Sequence, residues 1–317
     1  MSDTPVPIKT SIPLYSPEYF GYSFLGGIIS CSTTHCSITC LDLLKTRAQV
    51  ATHTTTPLSF GKIFKQVNGL KLLYTGGLTT FFGYGLQGFG KYGFYEIFKY
   101  KYTNWLPDHF NQTYVYLLSS ASAEFIADIL LCPLEAVKIK QQTSIKSNSE
   151  FLNYNKSHLS MVSTFKTLLK EGKLYTGIVP LWFRQIPYTM VKFTTFEKIV
   201  EFIYEKLDLK KQEMNKLQQA SVSFVSGFFA GTMCAIVSNP ADVMVSKLNS
   251  PLEDPTVKNA ITSTGERLKY EYSKIGFRGL WLGLPTRIVM ISCLTSMQWL
   301  IYDSFKIMVG LPTTGGH

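Results

Sequence analysis

Hydrophobic and polar positions alternate along the chain in long blocks, and six of the blocks are apolar enough to cross a lipid bilayer. Helices are the expected spanning form, because an unpaired backbone finds no hydrogen-bonding partner in lipid. The pattern therefore predicts an all-α membrane protein with six transmembrane helices. They are expected at approximately residues 19–41, 72–90, 114–134, 174–191, 220–241 and 279–302.

A charged motif closes the third block and recurs after the first and fifth blocks. In the third block Pro133 precedes Glu135 and Lys138, so that opposite charges lie at the mouth of a helix that the proline kinks. The recurrences depart from this motif where Cys40 replaces the proline and Val245 replaces the third base. The members that remain form the first set of helix-end charges: Asp42, Lys45, Glu135, Lys138 and Asp242.

A second charged motif, aromatic-acid-x-x-base, ends the second, fourth and sixth blocks. It is complete at the second and sixth ends, whereas Val200 stands in place of the base at the fourth. These ends carry a second set of helix-end charges that lacks one base. Its members are Glu96, Lys99, Glu197, Asp303 and Lys306.

Each pair of blocks is one unit of an internal repeat, since the two motifs recur at close to one third of the chain. Polar linkers and short amphipathic helices near residues 58–67 and 158–170 lie inside the first two units, and a glycine-aromatic-glycine motif opens each even block. We predict a single domain over residues 1–317, with repeats at approximately 16–105, 112–206 and 216–310. The second unit is two residues short between Gly172 and Tyr175, which predicts an altered turn there.

Composition agrees with a membrane protein. Charged residues are 16% of the 317 and the net charge is +10, which suggests contacts with anionic lipid, an anionic substrate or basic loops that set orientation. The six cysteines all lie in predicted spans, so a secreted disulfide framework is not expected. The N-terminus is neither a secretory signal nor an Arg-rich presequence, and targeting information is expected to be internal.

The threefold motifs resemble those of the mitochondrial carrier family across essentially the whole chain. Four phrases are similar to its phosphate-carrier branch, namely Thr34-His35, Ala123-Glu124-Phe125-Ile126-Ala127-Asp128, Gln185-Ile186-Pro187-Tyr188 and Gly283-Leu284-Pro285-Thr286-Arg287. The resemblance implies a pseudo-threefold barrel of six tilted helices with a central site. It also implies that the first set of helix-end charges forms an incomplete ring, the matrix gate, and that the second set forms an opposite ring, the cytoplasmic gate. Access to the central site is expected to alternate between these two gates.

Chemistry is expected where the repeats differ. Seven residues before the motif acids stand His35, Asp128 and an alanine, and four residues earlier stand a cysteine, Glu124 and a glycine. This spacing keeps each set on one helical face with its gate acid. An imidazole titrates near neutral pH, and carboxylates at membrane depth usually line a wet path. We predict a proton relay through His35, Glu124, Asp128 and Glu135; alternatively, Glu124 and Asp128 only balance cavity lysines.

Cations concentrate on the second and fourth blocks, which suits an oxyanion such as phosphate. Lys91 and Arg184 are the predicted direct ligands, with Gln87 and Lys192 next. Arg287 matches an arginine that recurs in the family's sixth span, and its role is either structural, gating or direct contact.

Two further patterns each allow two interpretations. Cys31, His35 and Cys36 offer sulfur and imidazole ligands for Cu(I), which the resemblance admits as a substrate, although small buried cysteines are also common packing residues. The glycine pattern over residues 83–88 matches a dinucleotide-binding fingerprint, but it lacks a βαβ frame and favours close helix packing.

The sequence thus predicts a multi-pass carrier of the mitochondrial inner membrane that imports inorganic phosphate with a proton, or in exchange for hydroxide. Copper import is the alternative, and a non-transporting scaffold is a third hypothesis. No enzyme activity, resident cofactor or nucleic-acid partner is expected. Anionic lipid such as cardiolipin is an expected partner, and the functional unit is expected to be a monomer.

Overall fold

The computed structural model describes residues 12–51, 74–107, 110–143, 160–207, 214–249, 264–281 and 283–315, and all regular structure in these ranges is helical. The predicted surface helix near residues 58–67 lies outside them. The long helices, in chain order, are α1 (Pro17–Ala51), α2 (Gly77–Gly88) joined to α3 (Phe94–Trp105), α4 (Gln112–Thr143), α6 (Ile178–Leu207), α7 (Lys216–Asn249) and α9 (Leu284–Met308). The short helices α5 (Met161–Lys170) and α8 (Thr264–Gly279) connect them.

The long helices form a closed ring. Each packs against the one before it in the chain, and α9 packs against α1. The predicted all-α carrier fold of three two-helix repeats is therefore confirmed. By length and composition alone, α4, α7 and α9 are apolar enough to cross a membrane, considering only described residues.

The ring is polar inside and apolar outside. Lys91, Lys192, Glu124 and Asp128 are buried, whereas large apolar side chains such as Phe183 face outward. A water-soluble protein buries its side chains in the opposite sense. An apolar outer face suits lipid, and buried charged groups at membrane depth usually line a pathway or pair with each other.

The motif prolines do not end their helices. Each proline lies inside a continuous helix: Pro133 and Pro240 of the charged motifs, and likewise Pro187 of α6. Helix α4 continues to Thr143 beyond its motif acid. Proline is tolerated in a packed membrane helix because neighbouring helices satisfy the freed carbonyls. The charged motifs therefore lie within the last turns of long helices.

The turn that leads into α6 differs from its counterparts, as the short spacing of the second unit predicts. Gly76 and Gly283 adopt left-handed φ angles of 80° and 78° directly before α2 and α9, but Gly177 before α6 does not.

Glu171 lies in the same connection, 3.1 Å from Lys173 and 3.2 Å from Lys140. Its hydrogen bonds to these two ammonium groups lower the pKa of the carboxyl.

Close glycine contacts hold α1 against α2. A Cβ added to Gly88 would lie 2.1 Å from the carbonyl oxygen of Gly27, and one added to Gly27 would lie 2.2 Å from the oxygen of Gly88. The glycine pattern over residues 83–88 is therefore a packing feature, as expected.

Replacing Gly88 with alanine is expected to lower the free energy of unfolding by about 3 kcal/mol, since overpacking typically costs 1–3 kcal/mol and the obstacle here is rigid backbone. The midpoint of thermal unfolding in detergent measures the effect. Gly21→Ala is the matched control on α1: nothing lies within 4 Å of its added Cβ. Equal unfolding midpoints for the two variants would contradict the close approach.

Candidate substrate site and gates

A cluster of charged and amide side chains joins the second span to α4 inside the ring. Lys91 Nζ lies 3.1 Å from Glu124 Oε2, and both side chains are nearly inaccessible to solvent. Gln87 Nε2 donates to Glu124 Oε1 at 2.8 Å and to Asp128 Oδ1 at 3.3 Å. The structure thus brings together one predicted pair of substrate ligands, Gln87 and Lys91, and two predicted relay carboxyls.

A π-helical turn over Phe89–Gly93 joins α2 to α3 and carries Lys91. Small residues let this wider turn pack closely: a Cβ on Gly90 would lie 2.8 Å from Ala127 Cα, and one on Gly93 would overlap the ring of Phe24. Such π turns inside α-helices are frequently found at functional sites. Helical spacing alone did not predict it, although the glycines at 88, 90 and 93 are a signal in hindsight.

Lys192 is the second buried cation, and its environment differs from that of Lys91. Its Nζ donates to Gln298 Oε1, and Gln298 Nε2 lies 3.9 Å from Cys31 Sγ. Ser30 Oγ donates to the backbone oxygen of Gln298 at 2.6 Å. Among the residues that the structure describes, no carboxylate lies within ion-pair distance of Lys192.

Lys91, Lys192 and Gln298 occupy equivalent positions of the three repeats, each five residues before the acid that ends an even span. The contact between Lys192 and Gln298 shows that α6 and α9 reach this level together. Sequence comparison of the repeats identified Gln298 as the equivalent position but did not select it as a site residue. Two lysines and an amide therefore face one level of the ring interior.

His35 belongs to a separate group nearer the odd-span motifs. Its ring stacks on Tyr84 with centroids 3.8 Å apart and planes 13° from parallel, and Lys138 Nζ lies 4.8 Å from the centroid of the Tyr84 ring. No hydrogen bond within the described residues joins His35 to Glu124 or Glu135. The structure thus does not connect the predicted relay directly, and the relay stays a prediction.

The two predicted arginines lie away from the lysine level. Arg184 is eight residues before Lys192 on α6, which is about 12 Å of helix, and it is only partly buried. Arg287 forms an ion pair with Asp242 and donates to Ser238 Oγ at 2.9 Å. Arg287 thus pairs with a neighbouring acid in this conformation, whereas no contact among the described residues places Arg184 beside Lys91.

An aromatic layer separates the lysine level from the even-span ends. Trp299 stacks on Phe196 with ring centroids 3.6 Å apart, and Tyr92 lies 4.3 Å from Tyr302 between centroids. Phe193 contacts both Tyr92 and Trp299, and all five side chains are buried. Along their helices these buried rings lie between the lysine level and the acids that end the even spans. Sequence reasoning did not predict the layer, although an aromatic residue precedes each end acid.

The even-span ring forms two ion pairs. Lys99 Nζ lies 2.6 Å from Glu197 Oε1, which also accepts the hydroxyl of Tyr95 at 3.0 Å. Lys306 Nζ lies 3.5 Å from Glu96 Oε1. Both pairs are buried and join different repeats, as the spacing of the motifs predicts. The fifth predicted member, Asp303, is buried. Its carboxylate accepts a hydrogen bond of 2.5 Å from Ser223 Oγ and forms no ion pair among the described residues.

The odd-span ring is described only in part, because the side chains of Asp42 and Lys45 lie outside the described residues. Glu135 Oε2 is buried and accepts no hydrogen bond from a described residue. Lys138 faces Tyr84, and Asp242 pairs with Arg287 of its own repeat. The pairing of Asp242 therefore lies within one repeat, unlike the two ion pairs of the even-span ring.

The predicted copper ligands do not converge. Cys31 is buried beside Gln298, His35 stacks on Tyr84, and Cys36 is half-buried. Residues five apart on a helix point to different faces, which separates the two sulfurs. Within the described ranges, no three His, Cys, Asp or Glu side chains are grouped to hold a metal ion. The proposed copper site is not assembled in this structure.

Comparison with known proteins places these features in a family. The family model described as "Mitochondrial carrier protein" matches residues 16–104, 110–207 and 217–311, one match for each repeat. These matches cover most of the chain, and they correspond to the three two-helix units described above.

Individual relatives match over nearly the whole chain. A protein of Schizosaccharomyces pombe named "Probable mitochondrial phosphate carrier protein" is 49% identical over 98% of this chain and 97% of its own length. The bovine and human proteins named "Solute carrier family 25 member 3" are 43% and 41% identical, each over 94% of this chain and 78% of its own length. The family match, the near full-length relatives and the closed ring of helices agree. The chain therefore belongs to the mitochondrial carrier family, as a multi-pass protein of the mitochondrial inner membrane.

Proposed function

We propose that this carrier imports inorganic phosphate into the mitochondrial matrix together with a proton, or equivalently in exchange for hydroxide. The observation that carries the proposal is the buried ammonium of Lys192, whose partner is the neutral amide of Gln298. A buried cation without a counter-charge is costly unless an anion joins it. A phosphate bound at this level supplies that charge.

Lys91 completes the binding level. Its ammonium already pairs with Glu124, so an incoming oxyanion competes with that carboxylate for the lysine. Gln87 can hydrogen-bond to either carboxylate, because its amide nitrogen donates to both Glu124 and Asp128. We propose Lys91, Lys192 and Gln87 as ligands of phosphate, with Gln298 added to the set.

The carboxyl pair supplies a reason for proton coupling. Glu124 and Asp128 share one amide donor, Glu124 also pairs with Lys91, and two close carboxylates repel each other when both are ionised. When phosphate takes Lys91 from Glu124, a proton on the carboxyl pair removes the uncompensated negative charge. His35 and Glu135 lie toward the odd-span mouth and are the proposed route of that proton to the matrix.

Alternating access follows from the two rings of charges. In this conformation the ion pairs of Lys99 with Glu197 and of Lys306 with Glu96 close the even-span end above the aromatic layer. We assign this end to the cytoplasmic gate and the odd-span ring to the matrix gate. The names of the yeast, bovine and human relatives support phosphate as the substrate class.

Uptake of labelled phosphate by liposomes that contain the purified protein tests the proposal. With an alkaline interior, uptake is expected to exceed uptake without a pH gradient, because proton movement down the gradient drives phosphate inward. A protonophore is the control and should remove the difference. Exchange that ignores the gradient would retain the anion site and contradict the proton coupling. Absence of flux from folded protein would contradict phosphate transport altogether.

Copper import remains the alternative, with less support because its three predicted ligands are apart. Copper uptake by the same liposomes, in the absence of phosphate flux, would favour it. A protein that moves neither solute would favour the scaffold hypothesis. Binding of anionic lipid and a monomeric functional unit stay predictions.

A further inference from the structure

The even-span ring has a gap that the two ion pairs do not fill. Lys99 and Lys306 each meet an acid of another repeat, but the equivalent position of the second repeat is Val200. By the same pairing rule, a base at position 200 would meet Asp303. Asp303 is fully buried, so its carboxylate needs other donors.

Ser223 of α7 donates to one carboxylate oxygen of Asp303, and the residues that follow α9 supply the donors to the other. Thr314 donates both its backbone N–H and its hydroxyl to Asp303 Oδ1, at 3.0 Å and 2.9 Å. Lys306 Nζ, a member of the neighbouring ion pair, lies 3.3 Å from the same hydroxyl. The segment after α9 is thus hydrogen-bonded to both Asp303 and Lys306.

This C-terminal segment, residues 311–315, is held inside the mouth of the ring. Its return begins after α9 with a hydrogen bond of 2.8 Å from Leu311 N to Lys306 O. Leu311, Thr313 and Thr314 are at most 3% exposed. The segment is therefore packed as tightly as the helices that surround it.

The segment also occupies the space that the missing base would use. A Cβ added to Gly315 would lie 2.7 Å from Val200 Cγ1 and 3.2 Å from Glu197 Oε2. Gly315 has a φ of 81°, a left-handed conformation that other residues rarely adopt. A small side chain at position 200 and glycine at position 315 therefore permit the close approach.

We propose that the C-terminal segment is the third closing element of this gate, in place of the absent base at position 200. The gate then has two ion pairs and one segment bonded to Asp303. Opening this end of the carrier requires the segment to leave the mouth. The inference concerns the gate alone and holds whichever solute is carried.

The test measures access through the gate with a reporter one turn below it. Ser23 is fully buried and donates to the backbone oxygen of Tyr19, whose hydroxyl contacts Lys306. A Ser23→Cys protein in intact mitochondria is exposed to a membrane-impermeant thiol reagent, and labelling of residue 23 is quantified by peptide mass spectrometry. The native cysteines can remain, because fragment-ion sequencing of the labelled peptide distinguishes residue 23 from Cys31, Cys36 and Cys40, which lie on the same tryptic peptide.

Removing residues 311–317 is expected to raise the labelling rate at residue 23 about tenfold, since hydrogen bonds to a buried charge shift an equilibrium by at least this factor. Val200→Lys in the shortened chain should restore slow labelling by pairing with Asp303. Val200→Met, an apolar side chain of similar length, should not. An unchanged rate after truncation, or equal rescue by methionine, would overturn the proposal.

A second variant keeps the chain at full length in case the shortened one fails to fold. Gly315→Val cannot hold the left-handed backbone and would collide with Val200, so it should displace the segment and speed labelling as truncation does. Unfolding midpoints in detergent establish that each variant is folded. Slow labelling of folded Gly315→Val protein would also overturn the proposal. No phosphate is used, so the outcome is independent of the proposed substrate.

Discussion

Replacing Lys192 with glutamine is expected to abolish phosphate uptake while leaving the protein folded. Its ammonium is buried and meets only the neutral amide of Gln298 among the described residues. Glutamine keeps a hydrogen-bonding partner for that amide but removes the charge that phosphate would meet. A lost charge-assisted hydrogen bond of 2–3 kcal/mol corresponds to about a hundredfold loss in binding.

Stability should move in the opposite direction to transport. Replacing an uncompensated buried charge with a neutral side chain is expected to leave the unfolding midpoint unchanged or to raise it. The measurements are gradient-driven uptake in liposomes and the midpoint in detergent. Lys173→Gln is the control for the loss of one positive charge, because Lys173 is exposed outside the ring. Near-normal uptake by Lys192→Gln protein would remove this residue from the binding site.

Lys91 gives a less clear experiment, although it is the other proposed lysine ligand. Its ammonium is the ion-pair partner of Glu124, and removing one member of a buried pair leaves the other without compensation. Loss of uptake in a Lys91 variant would therefore combine a lost ligand with a disturbed proton site. Lys192 separates the two effects because its partner carries no charge.

The repeated motifs were sufficient to predict the carrier fold and the helices that face each other. Threefold spacing predicts which residues occupy equivalent levels, and the structure joins Lys99 to Glu197 and Lys306 to Glu96 by that rule. Those contacts follow from symmetry alone. A charge at a fixed place in each repeat must meet its counterpart when the ring closes.

Features that break the symmetry were not predictable in the same way. The π turn that carries Lys91 depends on the space that Gly90 and Gly93 leave against neighbouring helices, which no helical periodicity encodes. Arg287 pairs with Asp242 of its own repeat, a contact that the spacing of the charged motifs does not encode. The missing base at position 200 was visible in the sequence. The residues that occupy its place depend on the path of the segment that follows α9.

Glu197→Gln is expected to destabilise the protein by about 3–5 kcal/mol, the usual cost of removing one member of a buried ion pair. Glu197 accepts Lys99 Nζ and the hydroxyl of Tyr95, and both Lys99 and Glu197 are buried. Glutamine still accepts hydrogen bonds but leaves the lysine charge uncompensated between α3 and α6. The unfolding midpoint in detergent should fall by several degrees.

A partly exposed acid one turn further along α6, which also accepts the hydroxyl of Tyr116 at 2.6 Å, provides the comparison. Glu201 lies 2.7 Å from Lys198 at a half-exposed site, where an ion pair contributes at most about 1 kcal/mol. Glu201→Gln should therefore change the midpoint little. Exchanging the buried pair, with Lys99→Glu and Glu197→Lys together, should recover part of the stability that Glu197→Gln loses. If Glu197→Gln and Glu201→Gln proteins unfold at the same temperature, the buried pair does not stabilise this closed end, and the aromatic layer beneath it must do so instead.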